Sequence, residues 1–219
     1  MKITTLKPRI VTDGLLFPEG PVALPDGSVL VVEIRGGRLV RVTMDGRREV
    51  VAELGGGPNG AAMGPDGFCY VCNNGGFNWI TAPDGHVRPH GRATGYAGGG
   101  IQRVDLATGK VQMLYTHCGA EALKGPNDIV FDGRGGFYFT DHGKTYDRLM
   151  DRGAVYYAAV DGSAIHEVVF PMLTPNGVGL SPDGAILYVS ETETGRLWSF
   201  AVTAPGEVVK QPWPSPNGG

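Results

Sequence analysis

Four copies of one short phrase are spread along the chain: Pro18-Glu19-Gly20, Pro58-Asn59-Gly60, Pro126-Asn127-Asp128 and Pro175-Asn176-Gly177. The middle residue of each carries a side-chain oxygen, a carboxylate in Glu19 and an amide in Asn59, Asn127 and Asn176. Brought together beside water, such oxygens make a seat for a hard divalent cation. Calcium suits this set best. No cysteine and no histidine pair joins the phrases, which disfavours a closed structural zinc site; magnesium, or a catalytic zinc with water ligands, is the alternative. Taken singly, Asn-Gly is an ordinary turn dipeptide. Recurrence at equivalent places, with glutamate in one copy only, is what argues for a site.

The phrases converge only if the surrounding elements repeat too, and they do. Each phrase opens a block: PEGPVALPDGSVLVVEIRGGRLVRVTMDGRREVVAEL; PNGAAMGPDGFCYVCNNGG, completed after an insertion by GGGIQRVDLATGKVQMLY; PNDIVFDGRGGFYFTDHG with GAVYYAAVDGSAIHEVVF; and PNGVGLSPDGAILYVSETETGRLWSFAVTAPGEVV. A block reads as a short apolar strand, a PDG or DGRGG turn, a β-rich strand, a loop, and two strands around a second turn such as Met44-Asp45-Gly46 or Val160-Asp161-Gly162. Asp-Gly between alternating segments signals a hairpin, because glycine takes the positive φ that the turn requires. Four antiparallel strands make a propeller blade, and one blade cannot bury both faces of its sheet, so copies must stack around an axis. The pattern predicts an all-β β-propeller fold in a single domain over residues 1–219. The first strand of each blade would be innermost, so Glu19, Asn59, Asn127 and Asn176 would face one another at one mouth of the channel. A β-sandwich, the other all-β reading, has no recurring four-strand phrase.

Composition agrees. Thirty-six glycines and sixteen prolines, with 42% hydrophobic and 19% charged residues, suit short strands and tight turns. A net charge of -3 without basic blocks speaks against a nucleic-acid partner. The N-terminus lacks the apolar core of a signal peptide and no run is long enough to span a bilayer, which predicts a soluble, cytoplasmic protein with no membrane partner. The three cysteines, Cys69, Cys72 and Cys118, form no disulfide framework. In the strand-like CYVC run, alternation sends Cys69 and Cys72 to opposite faces, so each reads as a packed thiol. No GxSxG elbow marks an activated serine, and the glycine runs 55–57 and 98–100 open no helix and read as connectors, not phosphate loops.

FPEGP near the start, GPND in mid-chain, and PNGVGLSPDG followed by LYVSET resemble the SMP-30/gluconolactonase/regucalcin-like (LRE) family, over essentially the whole chain. The resemblance implies a six-bladed propeller that holds a divalent cation in its channel and hydrolyses lactones, sugar lactones among them. Glu19 would then be the metal-binding carboxylate, Asn127 and Asn176 the amide ligands, and Asn59 a substrate-binding residue of the pocket. The family's remaining ligand and favoured general base, an aspartate of a later blade, has no counterpart. Only four blocks can be counted, which predicts a C-terminally incomplete propeller of impaired activity, able to self-associate through unclosed sheet edges, with a self-contained four-bladed ring as the alternative. The segment from Ile3 to Val11 reads as an outer strand of a further blade, and the terminal Pro216-Asn217-Gly218 as a loop.

Other acid–base candidates are Asp141 and His142 in FTDHG, although Asp141 occupies the slot filled by Glu191 in the fourth block and reads as a strand-end residue. His86, His90, His117 and His166 are scattered. The insertion over residues 75–99 carries Phe77, Trp79, Arg88, Arg92 and Tyr96, and is either a lid that selects substrates or a surface loop. Two readings stand beside the lactonase: a non-catalytic calcium-binding propeller or protein-interaction scaffold, and a strictosidine-synthase-like propeller, which would need a catalytic glutamate not found here.

Overall fold

A computed structural model describes residues 7–212 and Gly219, and is all-β. The first sheet is a meander of β1 (Pro18–Ala23), β2 (Val29–Glu33), β3 (Arg38–Val42) and β4 (Arg48–Glu53). The second begins with β5 (Pro58–Met63) and β6 (Cys69–Asn73). It is interrupted by the hairpin β7 (Phe77–Thr81) and β8 (Val87–Arg92), then completed by β9 (Gly100–Val104) and β10 (Val111–Tyr115). A short pair, β11 (His117–Cys118) and β12 (Glu121–Ala122), leads to the third sheet. That sheet holds β13 (Pro126–Phe131), β14 (Gly136–Asp141), β17 (Gly153–Ala159) and β18 (Ile165–Met172), with the ribbon β15 (Thr145–Tyr146) and β16 (Leu149–Met150) after β14. The fourth is β19 (Pro175–Leu180), β20 (Ile186–Glu191), β21 (Arg196–Ala204) and β22 (Glu207–Val208). The four-strand blocks read from sequence are thus four antiparallel sheets, and the insertion is a hairpin of its own.

The sheets stack face to face through side chains that alternate along each strand. Leu30, Val32 and Leu39 of the first sheet meet Cys69 and Val71 of the second. On the second sheet's other face, Tyr70, Cys72 and Ile101 meet Phe137, Phe139 and Tyr156 of the third. Tyr138 and Val155 then face Leu187, Val189 and Phe200 of the fourth. Cys69 and Cys72 therefore lie in different layers, as alternation predicted, and burial pushes the Cys69 thiol up to about 12. The first strands are neighbours in succession: β1 lies beside β5, β5 beside β13, and β13 beside β19.

The N-terminal segment differs from the expected outer strand. Residues 7–11 pair with no strand, and Ile3 to Leu6 lie outside the described residues, as does the terminal Pro216-Asn217-Gly218. Instead, Val11 and Leu15 cover the outer face of the first sheet over Val31, Val40 and Val42, while Thr12 Oγ1 donates to the Gly46 carbonyl at 3.2 Å. Side-chain burial holds this segment where ladder bonds do not. The described residues include no helix long and apolar enough to cross a membrane.

Phe137 is fully buried and touches the rings of Tyr70, Phe131, Phe139 and Tyr115 between the second and third sheets. Phe137→Ala is expected to cost about 3–5 kcal/mol in chemical denaturation, because the cavity lies between two packed sheets that cannot collapse independently.

Candidate cation and substrate cleft

Each Pro-X-Gly phrase lies at the start of a first strand, and each contains a break in register. The shift falls between Glu19 and Val22, Pro58 and Ala61, Pro126 and Ile129, and Pro175 and Val178. The Asn-Gly dipeptides are therefore strand bulges, not turns. A bulge lifts residues out of the ladder and can re-aim a side chain. Third-position glycines let consecutive first strands come close. A Cβ on Gly20 would lie 2.5 Å from the Asn59 carbonyl oxygen, and one on Gly60 would lie 2.5 Å from that of Asn127.

Glu19, Asn59, Asn127 and Asn176 line one cleft of about 320 Å³, together with Gly20, Pro21, Gly60, Ala61 and Asp128. The sequence-based convergence is thus present in space. Glu19 and Asn176 are exposed, Asn127 is half-buried and Asn59 is buried. Among the described residues, Glu19 Oε2 accepts only the neighbouring Gly20 N–H at 2.8 Å, and Asn176 Nδ2 donates to Thr192 Oγ1 at 3.1 Å. That bond leaves the Asn176 amide oxygen free of its donor. Among the described residues, the side chains of Asn59 and Asn127 make no hydrogen bond within the chain.

Asp128 was not singled out as a site residue in the sequence, although one signal was present: it stands where the other three phrases have glycine. Its Oδ1 accepts the Ile129 N–H at 2.9 Å, and its Oδ2 accepts the Val178 N–H of the fourth sheet at 3.0 Å. Burial raises its pKa, the two N–H bonds oppose that rise, and the charge of Glu19 adds to it. Thr140 ties the same corner: it accepts the Asp128 N–H at 3.1 Å and donates to the Asn176 carbonyl at 2.5 Å.

The backbone leading into each phrase is held by the last residue of the next strand. Glu33 Oε1 accepts the Leu16 N–H at 3.0 Å, and Glu191 Oε1 accepts the Leu173 N–H at 2.6 Å. Asn73 and Asp141 bind the N–H directly before the proline, and Asp141 binds the preceding one as well. Asn73 Oδ1 accepts the Gly57 N–H at 2.9 Å; Asp141 accepts Lys124 and Gly125 N–H at 2.7 Å each, and Gly143 N–H at 2.9 Å. In the two sheets that use glutamate, the residue before proline takes positive φ: Phe17 at 59° and Thr174 at 54°.

The other acid–base candidates do not reach the cleft. Asp141 is buried with its oxygens committed to those three N–H groups; burial raises its pKa, and the N–H bonds oppose this. His142 lies outside the cleft lining, its pKa lowered by burial and then by the nearby Lys144. Among the described residues, no three His, Cys, Asp or Glu side chains gather into a metal cluster. The cleft instead offers two carboxylates and three amides, a hard all-oxygen set that fits calcium better than zinc.

Lys144 is 2% exposed and sits at the root of the insertion hairpin. Burial lowers its pKa from 10.5 to about 8, with Asp141 opposing and Arg92 reinforcing the shift. Between those values the unfolded chain binds more protons than the folded one, so stability rises with pH across that window. Relative to Lys144→Met, the native chain should gain on the order of 1–3 kcal/mol from the lower to the upper end. Denaturation curves of both proteins at several alkaline pH values measure it.

The family model described as the SMP-30/Gluconolactonase/LRE-like region matches residues 17–213. The chain is 31% identical over 193 residues to Lactonase drp35 of Staphylococcus saprophyticus, covering 87% of this chain and 51% of that protein. It is 30% identical to Lactonase drp35 of Staphylococcus haemolyticus, covering 90% and 55%. The chain thus spans about half the length of the curated relatives it matches. In fold it is similar to a Xanthomonas campestris gluconolactonase, with a TM-score of 0.69 and 24% identity over 90% of this chain and 61% of that one. A calcium-binding protein, regucalcin, from Agrobacterium tumefaciens follows at a TM-score of 0.62 and 19% identity, over 89% of this chain and 57% of that one.

Proposed function

The chain belongs to the SMP-30/gluconolactonase/LRE-like family, and from that premise we propose that its sheets are blades of a β-propeller whose cleft hydrolyses lactones with the help of a divalent cation. The observation that carries the reading is the convergence of Glu19, Asn59, Asn127, Asp128 and Asn176 on one open cleft.

Glu19, Asn127 and Asn176 would hold the cation, calcium in the first instance. Bound there, it would polarise the lactone carbonyl and stabilise the charge that develops on its oxygen. The protein's own contribution is positioning. The bulges aim the ligands into the cleft, Asp128 adds a second negative charge while tying the third strand to the fourth, and Asn59 offers an amide to a hydroxyl or ring oxygen of the substrate. Water adds to the carbonyl carbon, the bond from that carbon to the ring oxygen breaks, and the ring oxygen takes a proton. The product is the open hydroxy acid. The net proton released at neutral pH passes through the cleft carboxylates, Glu19 and Asp128 being the two present. A sugar lactone suits the amide-rich lining, whose donors and acceptors match ring hydroxyls. A cytoplasmic setting suits the three free thiols.

Proton release from gluconolactone in weak buffer, with calcium, zinc or a chelator, tests the reading. Turnover should need the cation and fall by roughly 100-fold or more in Glu19→Ala, as expected when metal coordination is disrupted. Calcium uptake with no turnover above the spontaneous rate would instead identify a binding protein.

A further inference from the structure

The insertion hairpin leaves the second sheet at the end of β6, where Asn73 pairs with Pro58 of the second phrase. It is fastened on two sides. From the loop after β14, Lys144 Nζ donates to Asn74 Oδ1 at 3.2 Å and to the Gly76 carbonyl at 3.1 Å, and lies 4.1 Å above the Phe77 ring. At the far end of β8, the Arg92 guanidinium lies 4.6 Å above the ring of Tyr146 in β15. On the other side, Trp79 of β7 meets Phe17 with ring centroids 4.9 Å apart.

Phe17 stands two residues before Glu19, the exposed carboxylate of the cleft, while Phe17 and Trp79 themselves lie outside the residues that line it. A φ of 59° holds this bulky residue in a strained, left-handed backbone conformation. The conformation is enforced by Glu33, which holds the Leu16 N–H, and by the Ile34 N–H donating to the Phe17 carbonyl at 3.0 Å. Phe17 is nevertheless left 39% exposed, next to Leu16 at 38%. A strained, half-exposed aromatic held against a tryptophan beside a polar cleft is an apolar contact surface.

We infer that the β7–β8 hairpin is a fixed specificity wall: the Phe17–Trp79 pair receives an apolar substituent on the substrate's ring, and Lys144 is the positioning residue that holds the wall in place. The inference rests on the lactone reading for the identity of the ring. It goes beyond that reading by assigning the selectivity to an element outside the repeat.

The test uses non-hydrolysable lactams bearing ethyl, butyl or hexyl side chains, bound to the calcium-loaded protein in a calorimeter, alongside hydrolysis of the matching lactones. Affinity should rise by about fourfold for each methylene that enters the contact. Trp79→Ala should flatten that rise while leaving the unsubstituted ring unaffected. Lys144→Met should raise KM for the alkyl lactones with kcat and calcium affinity retained, and expose the hairpin to limited proteolysis. A flat series in the native protein, or an equal slope in Trp79→Ala, would overturn the wall. Lactam binding that follows chain length without lactone turnover would uphold the wall and remove the hydrolytic reading. Turnover with a flat series would do the reverse.

Discussion

The cleft depends on one repeated interaction, the capture of backbone N–H groups just ahead of each first strand by the side chain that ends the second. Glu33, Asn73, Asp141 and Glu191 are buried acceptors; Asn73 and Asp141 meet N–H groups of the buried Gly57 and Gly125, Glu33 and Glu191 those of the exposed Leu16 and Leu173. An unpaired buried donor costs about 1–3 kcal/mol, so for Gly57 and Gly125 the capture fixes where the strand may begin. Once the proline is placed, the bulge after it aims the next side chain into the cleft, and the four phrases converge.

The choice of acceptor has consequences on both sides of the mouth. Glu33 and Glu191 hold only the N–H two residues before the proline, Asn73 holds the one directly before it, and Asp141 holds both. Phe17 and Thr174, in the two sheets that use glutamate, take positive φ, whereas Gly57 and Gly125 donate directly to the shorter side chains. The same device therefore leaves a plain glycine entry in the two inner sheets and a strained, side-chain-bearing entry in the first and fourth. In the first sheet that strained residue is an aromatic, two residues ahead of Glu19.

Much of this was legible in the sequence. The Asp-Gly turns and alternation marked the strands, the recurring phrase marked the cleft residues, and the shared slot of Asp141 and Glu191 marked Asp141 as structural. Other features were not legible, for physical reasons. Gly20 and Gly60 are required by the approach of a neighbouring strand, a contact that no local pattern reports, so their phrases could also be read as turns. Asp128 was hidden by its place in the glycine slot, and its bond to Val178 spans fifty residues. Lys144 reaches its partners across about seventy residues of chain. The segment before Thr12 has a strand-like composition, but the face it covers is satisfied by Val11 and Leu15 without any ladder.

The central claim is that the Pro-X-Gly residues form a cation seat, and crystals grown with terbium, a calcium mimic with strong anomalous scattering, test it most directly. The account predicts an anomalous peak in the cleft, with the Glu19 carboxylate and the Asn127 and Asn176 amide oxygens about 2.3–2.6 Å from it. A cleft without a peak while terbium occupies other carboxylates, or a peak coordinated by none of those three residues, would contradict it.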